Sequence, residues 1–187
     1  MCLDSNAERN GEGAAPPPGA VVAIDFETAD NGADSACAVG MARVQDGRVV
    51  DTLYQLLRPP RSRILYTWVH GLTWPMLKDQ PTFAQFWPAM AAFAGPSPVF
   101  VAHNARFDRS VLQACRAAMG STQDSPFLCT LKGSRRYLKL PRNRLCDVCA
   151  YLHIELTHHH AGSDALGAAG IYLHLRGMGV SDDALRI

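Results

Sequence analysis

Apolar residues arrive along the chain in short blocks, and each block predicts an element. Val21-Val22-Ala23-Ile24 is a continuous apolar run, the pattern of a strand buried on both faces. From Cys37 to Leu57 two extended segments flank Gln45-Asp46-Gly47-Arg48, and Asp-Gly is a strong signal for a tight hairpin turn. Phe83, Phe86, Trp87, Met90 and Phe93 recur at helical spacing behind Thr82, a candidate N-cap, and Pro88 predicts a kink in that helix. Pro98 to Ala102 reads as another buried strand. It feeds a helix with Phe107, Val111, Ala114 and Ala118 on one face and Gly120 as its stop. From Leu131 to His174 the pattern is mostly helical, with breaks predicted at Gly133, Pro141 and Gly162. A hairpin followed by strand-helix units predicts an α/β domain: a mixed sheet, antiparallel hairpin plus parallel strands, flanked by helices.

Composition sharpens this outline. Residues 1–19 are polar and rich in Pro and Gly, so a flexible tail is expected there and a single domain over residues 20–187. With 187 residues, 48% of them hydrophobic, that domain has enough apolar material for one core. No apolar run reaches the roughly 18 residues of a membrane span, and Met1-Cys2-Leu3-Asp4 does not open a secretory signal, so a cytoplasmic protein without a membrane partner is expected. The six cysteines then read as reduced thiols. Cys146 and Cys149, followed by His153 and His158, raise a zinc reading, but their spacer is far shorter than that of a zinc finger.

Net charge is +1, which announces no polyanionic partner. Between Leu131 and Leu145, however, lie Lys132, Arg135, Arg136, Lys139, Arg142 and Arg144 without an acid among them. Such a stripe suits a phosphate backbone; a solvated helix face would look the same.

Candidate chemistry sits where acids interrupt apolar elements. Asp25 and Glu27 end the first strand at spacing i, i+2, so both face one side of the sheet, and residues 20 to 42 hold no Lys or Arg to neutralise them. Asp108 follows the second buried strand in the first turn of its helix, at the end of the sheet where α/β folds place ligands. Asp164 begins a stripe shared with Ala168, Ile171 and Leu175, and an acid on such a stripe calls for a metal or a donor. Taken singly, each acid also fits a bland reading as a cap or a strand end. Together, four carboxylates fit two divalent ions, and oxygen ligands point to Mg2+ or Mn2+ rather than zinc. His158, His159 and His160 cannot all face one ion, so one of them reads as a titrating group.

Three stretches carry a resemblance. Asp25-Phe26-Glu27-Thr28, His103-Asn104-Ala105-Arg106-Phe107-Asp108 and His159-x-Ala161-x-x-Asp164 resemble, in order, the three motifs of the DEDDh (DnaQ-like) 3′ to 5′ exonucleases, the group that includes the epsilon proofreading subunit of bacterial DNA polymerase III. Ser35 to Gly40, His70 to Thr73, Pro81 to Phe83 and Cys129 to Leu131 are similar to the family's connecting segments. The resemblance implies a ribonuclease H-like sheet and a metal-dependent exonuclease acting on single-stranded DNA or RNA 3′ ends to release nucleoside monophosphates, with a place in DNA replication and repair. A catalytically silent nucleic-acid-binding domain of the same fold is the alternative.

By motif position, the resemblance makes Asp25, Glu27, Asp108 and Asp164 the ligands of two Mg2+ or Mn2+ ions and His159 the general base, with His158 next in line. It places Thr28, His103 and Asn104 at the terminal nucleotide, while the basic stripe makes Arg135 and Arg136 the candidates for the substrate track. Phe26 or Phe107 would be placed to stack on a base, although a core role is the favoured reading for both. Gly162, Ser163 and His153 depart from the family pattern. The chain stops at Ile187 without the epsilon subunit's long tail, so a stand-alone enzyme is expected, with a polymerase partner left open.

Overall fold

The computed structural model describes residues 19–187 and, for the backbone alone, residues 8–10. Among the described residues six strands form one sheet: β1 (Glu8–Asn10), β2 (Val21–Thr28), β3 (Ala36–Gln45), β4 (Arg48–Leu56), β5 (Val99–Ala102) and β6 (Phe127–Cys129). Their order is β1-β4-β3-β2-β5-β6, antiparallel from β1 to β2 and parallel from β2 through β5 to β6. This is the mixed sheet that the hydrophobic pattern predicts. Asp46 (φ 50°) and Gly47 (φ 74°) both take left-handed backbone conformations, which matches the turn's twist to that of the β3-β4 hairpin.

Alternation along β2 separates two apolar layers. Val22, Ile24 and Phe26 face α3 (Phe83–Ala94) and α4 (Arg106–Ala118), packing with Phe86, Met90, Phe93, Val111 and Leu112. Ala23 faces the other way, toward α6 (Leu145–Leu152) and α7 (Ala161–Gly177), where Val148, Ala168, Ile171 and Leu175 are buried. Each such fully buried large side chain contributes about 1.5–3 kcal/mol, so the two layers clamp β2 at the centre of the domain. Shorter helices fill in: α1 (Thr67–His70), α2 (Trp74–Leu77), α5 (Thr130–Tyr137) and α8 (Asp182–Leu185). No helix among the described residues is long and apolar enough to cross a membrane.

The local signals explain most boundaries. The Gln85 N–H donates to Thr82 Oγ1 at 3.3 Å and the Gln85 side chain accepts from the Thr82 N–H at 2.8 Å, a reciprocal cap at the start of α3. Past α4, Gly120 takes φ 77° and closes the helix end.

Several expectations need correction. Helix α3 carries Pro88 inside it and continues to Ala94. Gly133 lies inside α5 and breaks nothing. A Cβ on it would meet Leu175 Cδ1 at 2.5 Å, so the glycine serves the close approach of α5 to α7. Gly162 is likewise in the first turn of α7 rather than before it. The expected tail over 1–19 falls mainly outside the described residues; within it, Glu8–Asn10 pair with Thr52–Tyr54 of β4.

Candidate active site

The carboxyl end of β2 is where the acids meet. Asp25 and Glu27 share the face of β2 that looks toward α7, while Phe26 between them points into the opposite apolar layer. Across the β2-β3 pair, Asp25 lies opposite Gly40. A Cβ at Gly40 would sit 2.0 Å from the Ala161 carbonyl oxygen, so only glycine lets the start of α7 settle onto the sheet. That first turn carries Asp164. One oxygen each of Asp25, Glu27 and Asp164 can be chosen so that all three lie within 4.8 Å of one another. Asp108, in the first turn of α4, accepts a hydrogen bond from the Phe26 N–H at 3.1 Å, which ties it to the same strand end.

Electrostatics record the convergence. Burial, then the charges of Asp108, Asp164 and Glu27, hold the Asp25 carboxyl well above the ordinary carboxylate range. Burial and then Asp164 push Glu27 up to about 7. Asp108 rises to about 8, again by burial first, with Glu27 and Asp164 adding to it against the Phe26 N–H. Asp164 is raised by burial, with His158 and His159 pulling the other way. None of the four pairs with a Lys or Arg among the described residues. An all-oxygen cluster starved of positive charge fits divalent cations, the group expected for it.

The three adjacent histidines do three different things. His158 Nδ1 lies 3.3 and 3.4 Å from the two Asp164 oxygens. His159 takes φ 65°, its N–H donates to Asp164 Oδ2 at 3.1 Å, and its ring stacks on that of His158 with centroids 3.8 Å apart. Burial and the neighbouring His158 lower the His159 pKa, which keeps the imidazole neutral and able to accept a proton. His160 turns away, caps α7 by accepting from the Ser163 N–H, and stacks on Tyr54.

The remaining predicted residues divide. His103 is held from both sides: Nε2 donates to the Asn143 carbonyl at 2.8 Å and Nδ1 accepts from Thr130 Oγ1 at 2.9 Å. Because a carbonyl only accepts, the proton is assigned to Nε2. His103 and Asn104 border a hollow of about 780 Å3, completed by Arg135, Arg142 and Arg144. Arg135 also borders a second hollow of about 500 Å3 with Arg106, Lys132 and Arg136. Arg144 is paired with Asp147 at 2.8 Å, and the Arg136 guanidinium lies over the Tyr137 ring. Thr28 is buried beside the bulge that ends β2.

The two aromatic residues divide. Phe26 is 2% exposed, so its ring belongs to the core and does not reach a base; its contribution is the backbone N–H on Asp108. Phe107, for which a core role is the favoured reading, is instead 42% exposed in the first turn of α4. The zinc reading of the cysteines, already disfavoured by their short spacer, gains no geometry: among the described residues neither cluster of converging ligand atoms contains Cys146, Cys149 or His153.

Two residues lie in stretches that the resemblance covers only as connecting segments, with no role assigned to either. Gly40 is one of them, and its part is the close approach of α7. His70 accepts from the Leu72 N–H at Nδ1 (3.0 Å), which leaves Nε2 to donate to the Thr28 carbonyl at 3.3 Å. It therefore pins the strand end that carries Glu27.

Comparison with known proteins agrees with this geometry. The family model described as exonuclease, of the RNase T type, matches residues 22–172. The chain is 32% identical over 171 residues to the PolC-type DNA polymerase III of Caldanaerobacter subterraneus subsp. tengcongensis, an alignment that covers 88% of the chain but 12% of that protein's length. Among solved structures it superposes on exonuclease X in complex with 5′ overhanging duplex DNA (TM-score 0.73, 23% identity, 88% of this chain and 96% of that one). The nuclease domain of 3′hExo, a DEDDh family member bound to rAMP, gives TM-score 0.73 at 15% identity, covering 89% and 96%. Both likenesses are of fold, the ribonuclease H-like mixed sheet.

Proposed function

The chain belongs to the exonuclease family as a DnaQ-like 3′ to 5′ exonuclease domain, and from that premise we propose that it hydrolyses the terminal phosphodiester of single-stranded 3′ ends by a two-metal mechanism with His159 as general base. The observation that carries this reading is the meeting of Asp25, Glu27, Asp108 and Asp164 without a basic partner, beside a neutral imidazole. The four carboxylates would hold two Mg2+ or Mn2+ ions, with Asp25 at the centre of the set. Such ions supply charge stabilisation for the attacking and leaving oxygens of an in-line displacement.

The chain's own residues do the rest. The Phe26 N–H and the start of α4 orient Asp108. His70 and the close approach at Gly40 fix Glu27 and Asp164 against each other. His159, exposed and carried on a left-handed backbone turn, takes the proton of the attacking water. Thr28, His103 and Asn104 form the strand-end side of the pocket, with His103 as a fixed wall since both of its ring nitrogens are engaged. The two basic hollows that share Arg135 receive the phosphates upstream of the end. A polymerase context, and with it a role in DNA replication and repair, is supported by the name of the PolC-type relative.

A time course with 5′-labelled single-stranded DNA and RNA, in Mg2+, Mn2+ or EDTA, tests the reading. A metal-dependent ladder that shortens from the 3′ end in wild type and vanishes in Asp25→Ala is expected. His159→Ala should slow turnover by roughly 10² to 10⁴ with metal binding nearly intact, and unchanged turnover would move the base to His158. A metal-dependent mobility shift without any ladder would overturn the reading in favour of a binding domain.

A further inference from the structure

Asp164 belongs to two clusters at once. In one it joins Asp25 and Glu27; in the other it joins His158 and His159, whose ligand atoms also lie within 4.8 Å of each other and of the carboxylate. The chemistry of the two sets differs. Three carboxylates suit Mg2+ or Mn2+, whereas two imidazoles and a carboxylate suit a borderline transition ion.

We propose that His158, His159 and Asp164 form a second metal site, selective for Zn2+-class ions, whose occupation shuts down the nuclease centre. The spacing fits. Two ligand atoms each about 2.0–2.1 Å from a tetrahedral centre stand roughly 3.3 Å apart, and His158 Nδ1 lies 3.3 Å from Asp164 Oδ2. The scaffold is also prearranged. The His159 N–H is bonded to the same carboxylate, and the stacked rings hold both imidazoles on one side of it. Both histidines are exposed while Asp164 is 4% exposed, so an ion has an approach from solvent and a buried anion to anchor it. The third histidine is spent elsewhere, on Tyr54 and on capping α7.

Inhibition follows from sharing. An ion held by this triad withdraws Asp164 from the carboxylate set and occupies the imidazole proposed as the base. This second half rests on the exonuclease reading above; the existence of the site does not.

The test separates them. In Asp25→Asn/Glu27→Gln protein, where the oxygen set is dismantled, calorimetric titration should still find one Zn2+ per chain. Co2+ should give the visible absorption of a tetrahedral centre, displaced by Zn2+. Adding His158→Ala, or His158→Gln if the first variant folds poorly, should weaken Zn2+ binding about tenfold or more. His160→Asn, which keeps an N-cap acceptor, should leave it unchanged. Absence of binding in the double variant, binding indifferent to His158, or loss with His160→Asn would each overturn the site. In Mg2+-activated wild type, added Zn2+ should lower turnover until a zinc-selective chelator removes it. Turnover unmoved by bound Zn2+ would overturn the inhibition. A protein inert in every metal would sink the exonuclease reading while the titrations still decide the site.

Discussion

Two places in this domain bury acids to the same depth and treat them in opposite ways. Asp51 of β4 is 2% exposed and lies directly across the ladder from Arg43, whose guanidinium meets it at 3.1 Å while lying over the Phe93 ring. Asp108 and Asp164 are 1% and 4% exposed, yet around them gather more acids and no Lys or Arg among the described residues. Burial alone therefore does not distinguish a structural acid from a functional one. The partner does. Where a charge serves the fold, the chain supplies its counter-charge from the neighbouring strand. Where the chain withholds it, the deficit is left for a ligand to fill.

Removing a charge should accordingly have opposite signs at the two sites. Arg43→Ala leaves the Asp51 carboxylate buried without its guanidinium and should destabilise the domain by about 3–5 kcal/mol in chemical denaturation. Asp25→Asn should do the reverse in metal-free protein. The Asp25 carboxyl titrates higher in the folded chain than in the unfolded one, so folded protein binds the extra proton and stability falls as pH rises through that interval. Glu27 adds the same trend between its ordinary value near 4.5 and about 7. The gain from Asp25→Asn should thus be small at pH 5 and larger at pH 8, read in EDTA as about 2–4 °C of Tm per kcal/mol. A variant that melts below wild type at pH 8 would break the comparison.

The two sites also differ in how they are assembled. Arg43 and Asp51 belong to one hairpin, whereas the acid cluster spans positions 25 to 164 and depends on α7 reaching β3 at Gly40. Gly40→Ala puts a methyl group against the backbone of Ala161 and Gly162, neither of which is a flexible side chain that can swing aside. It should lower stability by about 1–3 kcal/mol. Because the displaced segment carries His159 and Asp164, metal affinity and turnover should fall by more than the unfolded fraction explains. The Arg43–Asp51 pair offers the control: a variant there should lower turnover only through unfolding.

What was legible in the sequence follows the same division between local and assembled features. The β3-β4 turn was readable because Asp46-Gly47 fixes its own backbone, and the cap at Thr82 because both partners lie within four residues. The acids were readable individually, since Asp25 and Glu27 end an apolar run and Asp108 and Asp164 open helices. Pairwise facts were not. Nothing in the alternation of β3 marks Arg43 as an inward cation waiting for Asp51, and Gly133 looks like a helix break until Leu175 and Leu185 are seen pressing on it. Phe107 shows the limit of periodicity: its helical spacing puts it on the stripe shared with Val111, yet Val111 is buried and Phe107 is not. His158 and His159 are neighbours in sequence, and only the backbone turn at His159 brings both to Asp164.

The smallest expected effect concerns the basic hollows, where Arg144 has its Asp147 partner but no ion pair among the described residues includes Arg135 or Arg136. Arg135 borders both hollows and Arg136 only the second, where it is also braced over Tyr137. If these residues follow the phosphates of a single strand, each phosphate that is no longer neutralised should reduce the salt slope of log affinity by about 0.7. Measured with Asp25→Ala protein to prevent digestion, Arg135→Ala should flatten that slope more than Arg136→Ala, and neither should alter the spacing of the metal-dependent ladder in otherwise wild-type enzyme. Equal slopes in all three proteins would remove the hollows from the substrate track. The uncompensated acids would then be left as the charge deficit that draws a ligand.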